Sequence, residues 1–485
     1  MTEVFLLPLA VLLPLLMACC VHVSADRFAR PLQWVGALGM ATLVLALVAH
    51  DAPMRTVLGG WEAPLGIELV ADRLAKTLLV FTLLIYAAVL LYAEGYFAQS
   101  PIEARRFRPL AWLLWAACNA AFLSDDLFNL YVTLELAGLT AVGLAALSGH
   151  PKALAAALRY LLAALLAANL FLLGLALLYG STGVLSLRML AAAVEPGTAS
   201  LLAFVLLVTA LALKTALLPL HTWLPPAHGG AVTPVSALLS ALVIKVSFVI
   251  LLKLWLHFAP VLDLVVLGQG LAVMGALAVV WGSLLALRQQ RLKMLVAYST
   301  VAQVGYLFLP FAWLRPGTPA AAVAFDASVL QILGHGFAKA AMFLAAGVLL
   351  RAAGRDGLEG LQGAASRQPL AVFALALAGI SLIGLPPSLG FSAKWSMLQA
   401  ALLAGQWPWV LLLLTGSLLT AAYVFRAIRY AFLPAPDVSE LRPVPALMSY
   451  SALLLAVLAA FGGLGTATLA AWLEIEIAGW PEALP

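Results

Sequence analysis

Four lysines stand where apolar sequence should exclude them. Lys214 lies in "LALKTALLPLHTWLPP", Lys245 in "ALVIKVSFVILL", Lys339 in "GHGFAKAAMFLAAG" and Lys394 in "GLPPSLGFSAKW". An ionised side chain at the centre of a membrane helix costs about 2.5–3.5 kcal/mol even on the mild insertion scale. Glu135, in "NLYVTLELAGL", shares the setting. It follows Asp126 by nine residues, about 14 Å along a helix and half the hydrocarbon thickness. One reading is that these groups form buried ion pairs that tie helices together. A single glutamate cannot neutralise four lysines, so pairing alone leaves most of the cost unmet. The other reading is proton carriage. Desolvation disfavours a charged ammonium, a group poised between charged and neutral can hand on a proton, and such groups in line form a relay.

Histidines and polar residues cluster near these charges. His335 and Lys339 are four apart and share one helix face. Gly334 and Gly336 flank that histidine and are expected to loosen the backbone there. His221 and His228 flank a proline-rich interruption, where they either mark access to the relay or bond freed carbonyls. Ser299, Thr300, Gln303 and Tyr306, in "AYSTVAQVGYLF", either hold water or make ordinary interhelical hydrogen bonds. Asp126 is a candidate for access or support.

Such residues need a membrane scaffold, and the composition supplies one. The chain has 485 residues, 64% hydrophobic and 10% charged, with mean hydropathy +1.07. A soluble domain carries roughly 25% charged residues, so the class is an all-α polytopic membrane protein. A net charge of +5 without a basic, aromatic-interleaved patch gives no nucleic-acid signal. Three cysteines, Cys19, Cys20 and Cys118, lie in apolar runs and form no metal, haem or cluster motif. With no phosphate loop and no nucleophile elbow either, no metal, cofactor or catalytic residue is expected. "LMAC", residues 16–19, resembles a lipoprotein cleavage box, but it lacks a basic leader and lies in a span-length run, so it reads as the first transmembrane helix.

A ruler of about 20 apolar residues marks fourteen segments. They lie near 2–24, 31–49, 69–95, 107–123, 126–147, 153–179, 200–219 (plus a short second half), 233–257, 261–286, 292–312, 321–350, 368–403, 406–431 and 446–473. Short linkers make residues 1–485 a single membrane domain. Loops after odd-numbered segments hold fifteen Lys and Arg residues, against five in the even loops and helix entries. The positive-inside rule then places both termini outside the cytoplasm. Arg159 and Lys253 stand near segment ends and are expected to snorkel.

Two segments are broken. Pro219, Pro225 and Pro226 interrupt segment 7; Pro386, Pro387 and Gly390 interrupt segment 12. Irregular backbone at membrane depth is tolerated only inside protein or beside water, and broken helices mark ion sites in transporters built from inverted repeats. Four spans separate the two breaks. That suggests segments 1–3 over residues 1–106, a first inverted repeat of segments 4–8 over 107–257, a second of segments 9–13 over 261–432, and segment 14 at 446–473.

"NLYVTLEL", "LKTALLPLHTWLPPAHGGAVTPVSALLSALVIK", "AYSTVAQVGYLF", "GHGFAKAAMFLAAG" and "GLPPSLGFSAKW" resemble, in order, motifs of the antiporter-like proton-translocating subunits. That group includes the D subunits of Mrp-type sodium/proton antiporters, the M and N subunits of respiratory complex I, and relatives in membrane-bound hydrogenases. The resemblance runs from about residue 66 to 430. It implies fourteen helices with two inverted five-helix repeats and a lateral proton path across the mid-membrane. On it, Glu135 and Lys214 resemble the family's charged pair, Lys245 its central lysine, His335 and Lys339 its helix 11 link, and Lys394 its terminal lysine.

Departures narrow the member. M-type subunits usually carry Glu where Lys394 stands. The L-type has a long C-terminal lateral helix, whereas this chain ends just after segment 14. A histidine often found one turn before His335 is Gln331 here, which leaves that link fewer titratable steps. The motifs look most like the Mrp D subunit, with the complex I N subunit second and hydrogenase kin close by. The implied function is proton translocation within a multisubunit cation/proton antiporter of the cell inner membrane. Its partners are other membrane subunits, its ions protons and, as a second candidate, sodium. The alternative is a proton-pumping subunit of an NADH:quinone oxidoreductase or hydrogenase, where partners would supply any redox chemistry. A stand-alone solute transporter fits less well, because the polar residues string out along the membrane plane instead of forming one pocket.

Overall fold

The structure is a computed structural model that describes residues 2–434 and 442–478. All fourteen predicted segments are helical and occur in the predicted order. Among the described residues, twelve helices are long and apolar enough to cross a membrane. The other two segments fall short for visible reasons. Pro101–Leu123 spends its first turns on Glu103, Arg105, Arg106 and Arg108, and segment 12 is divided into Pro369–Ile383 and Leu389–Leu403.

Local signals set the helix ends. Asp72 caps Arg73–Tyr96 by accepting from the Ala75 N–H, and Ser388 caps Leu389–Leu403 through the Phe391 N–H. Prolines open Pro151–Thr182 and Pro319–Ala353, where a missing N–H costs nothing. Gly183 and Gly354 close the same two helices in the left-handed conformation.

Segment 8 (Thr233–Phe258) and segment 11 (Pro319–Ala353) are enclosed by other helices along their apolar windows, and segment 10 (Leu292–Ala312) nearly so. Helices that are apolar all round belong inside a bundle. These three form the core that carries Lys245, Lys339 and the "AYSTVAQVGYLF" stretch.

Several features depart from expectation. Segment 3 begins as a strand: Glu68–Ala71 pairs antiparallel with Met54–Val57, a small hairpin in an otherwise helical chain. A short helix, Leu187–Ala193, lies between segments 6 and 7. Segment 8 carries a π-helical turn at Leu239–Val243. Segment 11 runs unbroken for 35 residues, so Gly334 and Gly336 do not loosen it. They allow close approach instead. A Cβ on Gly334 would sit 3.0 Å from the Leu389 Cβ, and one on Gly336 would overlap the Phe81 ring. Lys253 does not snorkel either. It is buried, and its Nζ donates to the Phe122 carbonyl at 2.5 Å.

The two breaks are built alike. Segment 7 runs Thr198–Thr215, turns at left-handed Ala216 (φ 61°), and resumes as Leu224–Gly230. Segment 12 turns at left-handed Gly384 (φ 88°). In each, the N–H after the left-handed residue reaches back five residues, from Leu217 to the Ala212 carbonyl (3.0 Å) and from Leu385 to the Ile380 carbonyl (3.2 Å). This ending satisfies carbonyls that the break would orphan. A cis peptide bond precedes Pro219 and Pro387.

Candidate functional site

At the first break, Lys214 lies in the last turn of Thr198–Thr215, and its Nζ meets the Glu135 Oε1 at 2.6 Å. The lysine side chain is 7% exposed and the glutamate 17%. Gly138, one turn beyond Glu135, leaves room for the ammonium: a Cβ there would lie 3.3 Å from Nζ. Trp223 holds the turn from outside by donating its indole N–H to the Leu213 carbonyl (3.0 Å) while stacking on Tyr160.

The next residue, Thr215, places its Oγ1 2.9 Å from the Ser247 Oγ, so a hydroxyl pair joins the break to segment 8 two residues from Lys245. Lys245 is fully buried and donates to the Ser240 carbonyl inside the π-helical turn (2.5 Å). A π turn widens the helix and frees carbonyl geometry, and such turns recur at functional sites. Ser240 then contacts Thr300 (3.2 Å). Lys339, also fully buried, donates to the Val296 carbonyl (3.1 Å) and to the Ser299 hydroxyl.

His335 and His228 are buried in this centre, within range of the charges on Lys245 and Lys339. Among the described residues, no group hydrogen-bonds to either ring nitrogen of either histidine. The His228 ring stacks on Phe343 (4.7 Å). His221 is buried nearer the break, and its Nδ1 is likewise unpartnered.

At the second break, Lys394 reaches back across the interruption. Its Nζ donates to the Leu382 and Ile383 carbonyls (2.9 and 3.0 Å) and to Ser417 (3.1 Å), with the Tyr306 ring face 4.4 Å away. A cation at the last carbonyls of a half-helix complements its dipole. Gln331 donates to Gln303 (3.4 Å), and Gln303 donates to the same Leu382 carbonyl (3.4 Å). The two glutamines therefore connect segment 11 to the Lys394 end.

All six residues assigned to the path thus lie at or between the two breaks; hydroxyls and carbonyls contact Lys245, Lys339 and Lys394, Glu135 pairs with Lys214, and His335 has no hydrogen-bond partner at its ring nitrogens among the described residues. Four assigned support residues, Ser299, Gln303, Gln331 and His228, lie among them. Asp126 stands apart: it caps Leu127–Ala145 by accepting from the Asn129 N–H (2.7 Å). Burial pushes its carboxyl above the usual range, and the backbone hydrogen bonds pull it back part of the way.

Sequence reading overlooked Lys293, which it counted as loop charge. Lys293 is 8% exposed, and its Nζ donates to the Ala231 carbonyl, just beyond the helix that carries His228. Its place at the start of an apolar run, two residues after Arg291, was the available signal. The Thr215–Ser247 pair was also missed, because hydroxyls in apolar helices usually bond their own backbone.

Residues 124–420 match the family described as NADH:quinone oxidoreductase/Mrp antiporter, TM. The chain is 38% identical over 421 residues to the N subunit of the NADH-quinone oxidoreductase of Desulforudis audaxviator, across 84% of this chain and 82% of that one. It is 30% identical over 420 residues to the D subunit of the Na(+)/H(+) antiporter of Alkalihalophilus pseudofirmus, across 85% and 82%. Among solved structures, a chain of the Mrp complex from Dietzia sp. DQ12-45-1b superposes with TM-score 0.88 at 26% identity, across 99% of this chain and 98% of that chain.

Proposed function

Because the chain belongs to the NADH:quinone oxidoreductase/Mrp antiporter transmembrane family, we propose that it is the proton-translocating subunit of a multisubunit cation/proton antiporter, similar to the Mrp D subunit. One observation carries this reading. Of the four mid-membrane lysines, Lys214 alone has a carboxylate partner in the described salt bridges, and Lys245, Lys339 and Lys394 are held by carbonyls and hydroxyls. A lysine held by neutral acceptors can release its proton without stranding an opposed buried charge. A lysine in an ion pair cannot, since breaking a buried pair costs about 3–5 kcal/mol.

The roles then divide. Glu135 holds Lys214 charged, and parting the two would free Lys214 to give up its proton. Lys245 and Lys339 exchange protons at the centre with His335, and Lys394 passes them at the far end. The unpartnered rings of His335 and His228 support this, because buried polar groups in native proteins pair with protein or with ordered water. The twin breaks support the division into two inverted repeats at 107–257 and 261–432.

On this reading the chain resides in the cell inner membrane with both termini outside the cytoplasm. It assembles with other membrane subunits and moves protons, with sodium as the counter-ion of the antiporter. The 38% identity to an N subunit favours a second reading, a proton-pumping subunit of an NADH:quinone oxidoreductase. Purification of the native complex with identification of its subunits, followed by flux in sealed vesicles, tests both. Small antiporter subunits and sodium-gradient-driven proton movement support the first. Cluster-binding partners and NADH-driven pumping support the second. Absence of any proton flux contradicts both.

A further inference from the structure

A cavity of about 290 Å³ opens at the ends of segments 2, 3 and 4. Its charged lining is Asp26 and Arg30 from segment 2 (Asp26–Val48), Glu94 from segment 3 and Arg108 from segment 4. Phe97 and Phe107, with ring centroids 5.1 Å apart, form part of its apolar wall. These segment ends adjoin loops that follow odd-numbered segments, so the cavity lies on the arginine-rich face, at the depth of lipid headgroups. One water needs roughly 10–15 Å³ of such space, so a group of several heavy atoms has room.

Gln33 lies in the wall and is 2% exposed. Its Nε2 donates to the Glu94 Oε1 at 2.6 Å, and the Arg30 Nε pairs with the other oxygen, Oε2, at 2.8 Å. An ionised carboxylate only accepts, so the first of these bonds fixes which way the amide points. The atom left over is the Gln33 Oε1, an acceptor, and no donor reaches it among the described residues. Buried polar atoms in native proteins are nearly always partnered, so this oxygen calls for a donor from outside the chain. With the buried Glu94 carboxylate beside it, that donor meets one neutral and one anionic oxygen, the surroundings of an ammonium. Arg30 and Arg108 offer guanidiniums to an anion. Two guanidiniums and two carboxylates sum to no net charge, so the matching ligand carries both signs.

We propose that this cavity binds the headgroup of a zwitterionic phospholipid with a primary ammonium, of the phosphatidylethanolamine class. The ammonium donates to the Gln33 Oε1 and to Glu94. The phosphate lies between Arg30 and Arg108, whose planar guanidiniums suit phosphate oxygens. Two observations favour a lipid over a soluble zwitterion. Segment 2 is covered by other helices over less than half of its apolar window. Leu38, 70% exposed, lies eight residues beyond Arg30, about 12 Å deeper along the helix, at the level of an acyl chain. A quaternary ammonium has no N–H for the Gln33 Oε1, and an anionic headgroup brings no cation to Glu94. The inference does not depend on proton translocation.

The test is photocrosslinking in the purified native complex. The probes are phosphatidylethanolamine, phosphatidylcholine and phosphatidylglycerol with a diazirine on one acyl chain, and crosslinks are mapped to residues 26–38 and 93–108. Wild type should give at least about tenfold more product there with phosphatidylethanolamine than with phosphatidylcholine, the factor that one charge-assisted hydrogen bond supplies. Gln33→Leu should abolish that preference while the phosphatidylcholine yield stays. Arg108→Gln guards against a Gln33 variant that packs badly: it should lower both yields and leave the preference intact. Equal yields with the two lipids in wild type, a larger yield with phosphatidylglycerol, a preference that survives Gln33→Leu, or unchanged yields in Arg108→Gln each overturn the proposal. No crosslink to these residues from any probe also overturns it, leaving the face to a protein partner. Displacement of the lipid by an equal concentration of soluble phosphoethanolamine would make the ligand a free phosphoamine, and the lipid assignment would fall.

Discussion

Lys394 and Gln303 donate to one acceptor, the Leu382 carbonyl, at 2.9 and 3.4 Å. That carbonyl belongs to the last turn of a half-helix, so the break supplies the oxygen at which the terminal lysine meets the polar core. Gln303→Leu keeps the approximate volume and removes the link. Proton flux should fall at least about tenfold while Gln303→Glu, which still offers polar atoms, keeps a measurable fraction. Equal flux in both variants and wild type would make the glutamine pair packing and nothing more.

Gly336 is predicted to be a packing requirement of the centre. An added methyl would overlap the Phe81 ring, and overpacking of this kind costs about 1–3 kcal/mol. Gly336→Ala should lower the melting temperature of the purified complex. Combining it with Phe81→Leu should recover most of the loss. An unaltered melting temperature in Gly336→Ala would show that the helices part freely there.

Asp126 is predicted to act as a cap and not as a carrier. Asp126→Ala should cost about 1 kcal/mol, whereas Asp126→Asn keeps the acceptor for the Asn129 N–H and should preserve flux. The pH dependence follows from burial, which raises the carboxyl in the folded state. The native state then holds its proton more tightly than the unfolded chain. Asp126 therefore weakens the fold as pH rises from the ordinary carboxylate value through the raised one. Melting curves across that window should show a pH-dependent loss in wild type that is reduced in Asp126→Asn. Loss of flux in Asp126→Asn with normal assembly would return Asp126 to the path.

The fold was legible because hydropathy at span length is the strongest pattern a chain can carry, and fourteen segments declared themselves. The breaks were legible through proline. What the sequence hid was direction. Lys253 and Lys293 sit near segment ends, where a long stem could snorkel outward, yet both turn inward to carbonyls at helix ends. Ser240 and Lys245 gave no sign of a π turn, because one inserted residue leaves the apolar pattern almost unchanged. Gly334 and Gly336 read as flexibility and proved to be contact surfaces, a distinction that depends on what packs opposite.

Orientation is predicted from loop charge. Single cysteines replacing Arg106 and Arg355 should react with an impermeant reagent from the cytoplasmic side, and a tag at Thr2 should be reached from the opposite side. Labelling of the two cysteines from different faces would contradict the segment count. Pro485, the other terminus, lies outside the described residues.

The central claim is that a fully buried lysine held by neutral acceptors carries protons, and Lys245 is where that claim is most exposed. The measurement is proton flux in vesicles holding the complex with Lys245→Met and, separately, Lys245→Arg, each normalised to the amount assembled. Lys245→Met removes a buried cation that has no carboxylate partner among the described residues, so assembly should survive. Lys245→Arg keeps a charge that cannot be released. Both should abolish flux. Flux near the wild-type rate from either assembled variant would contradict the account.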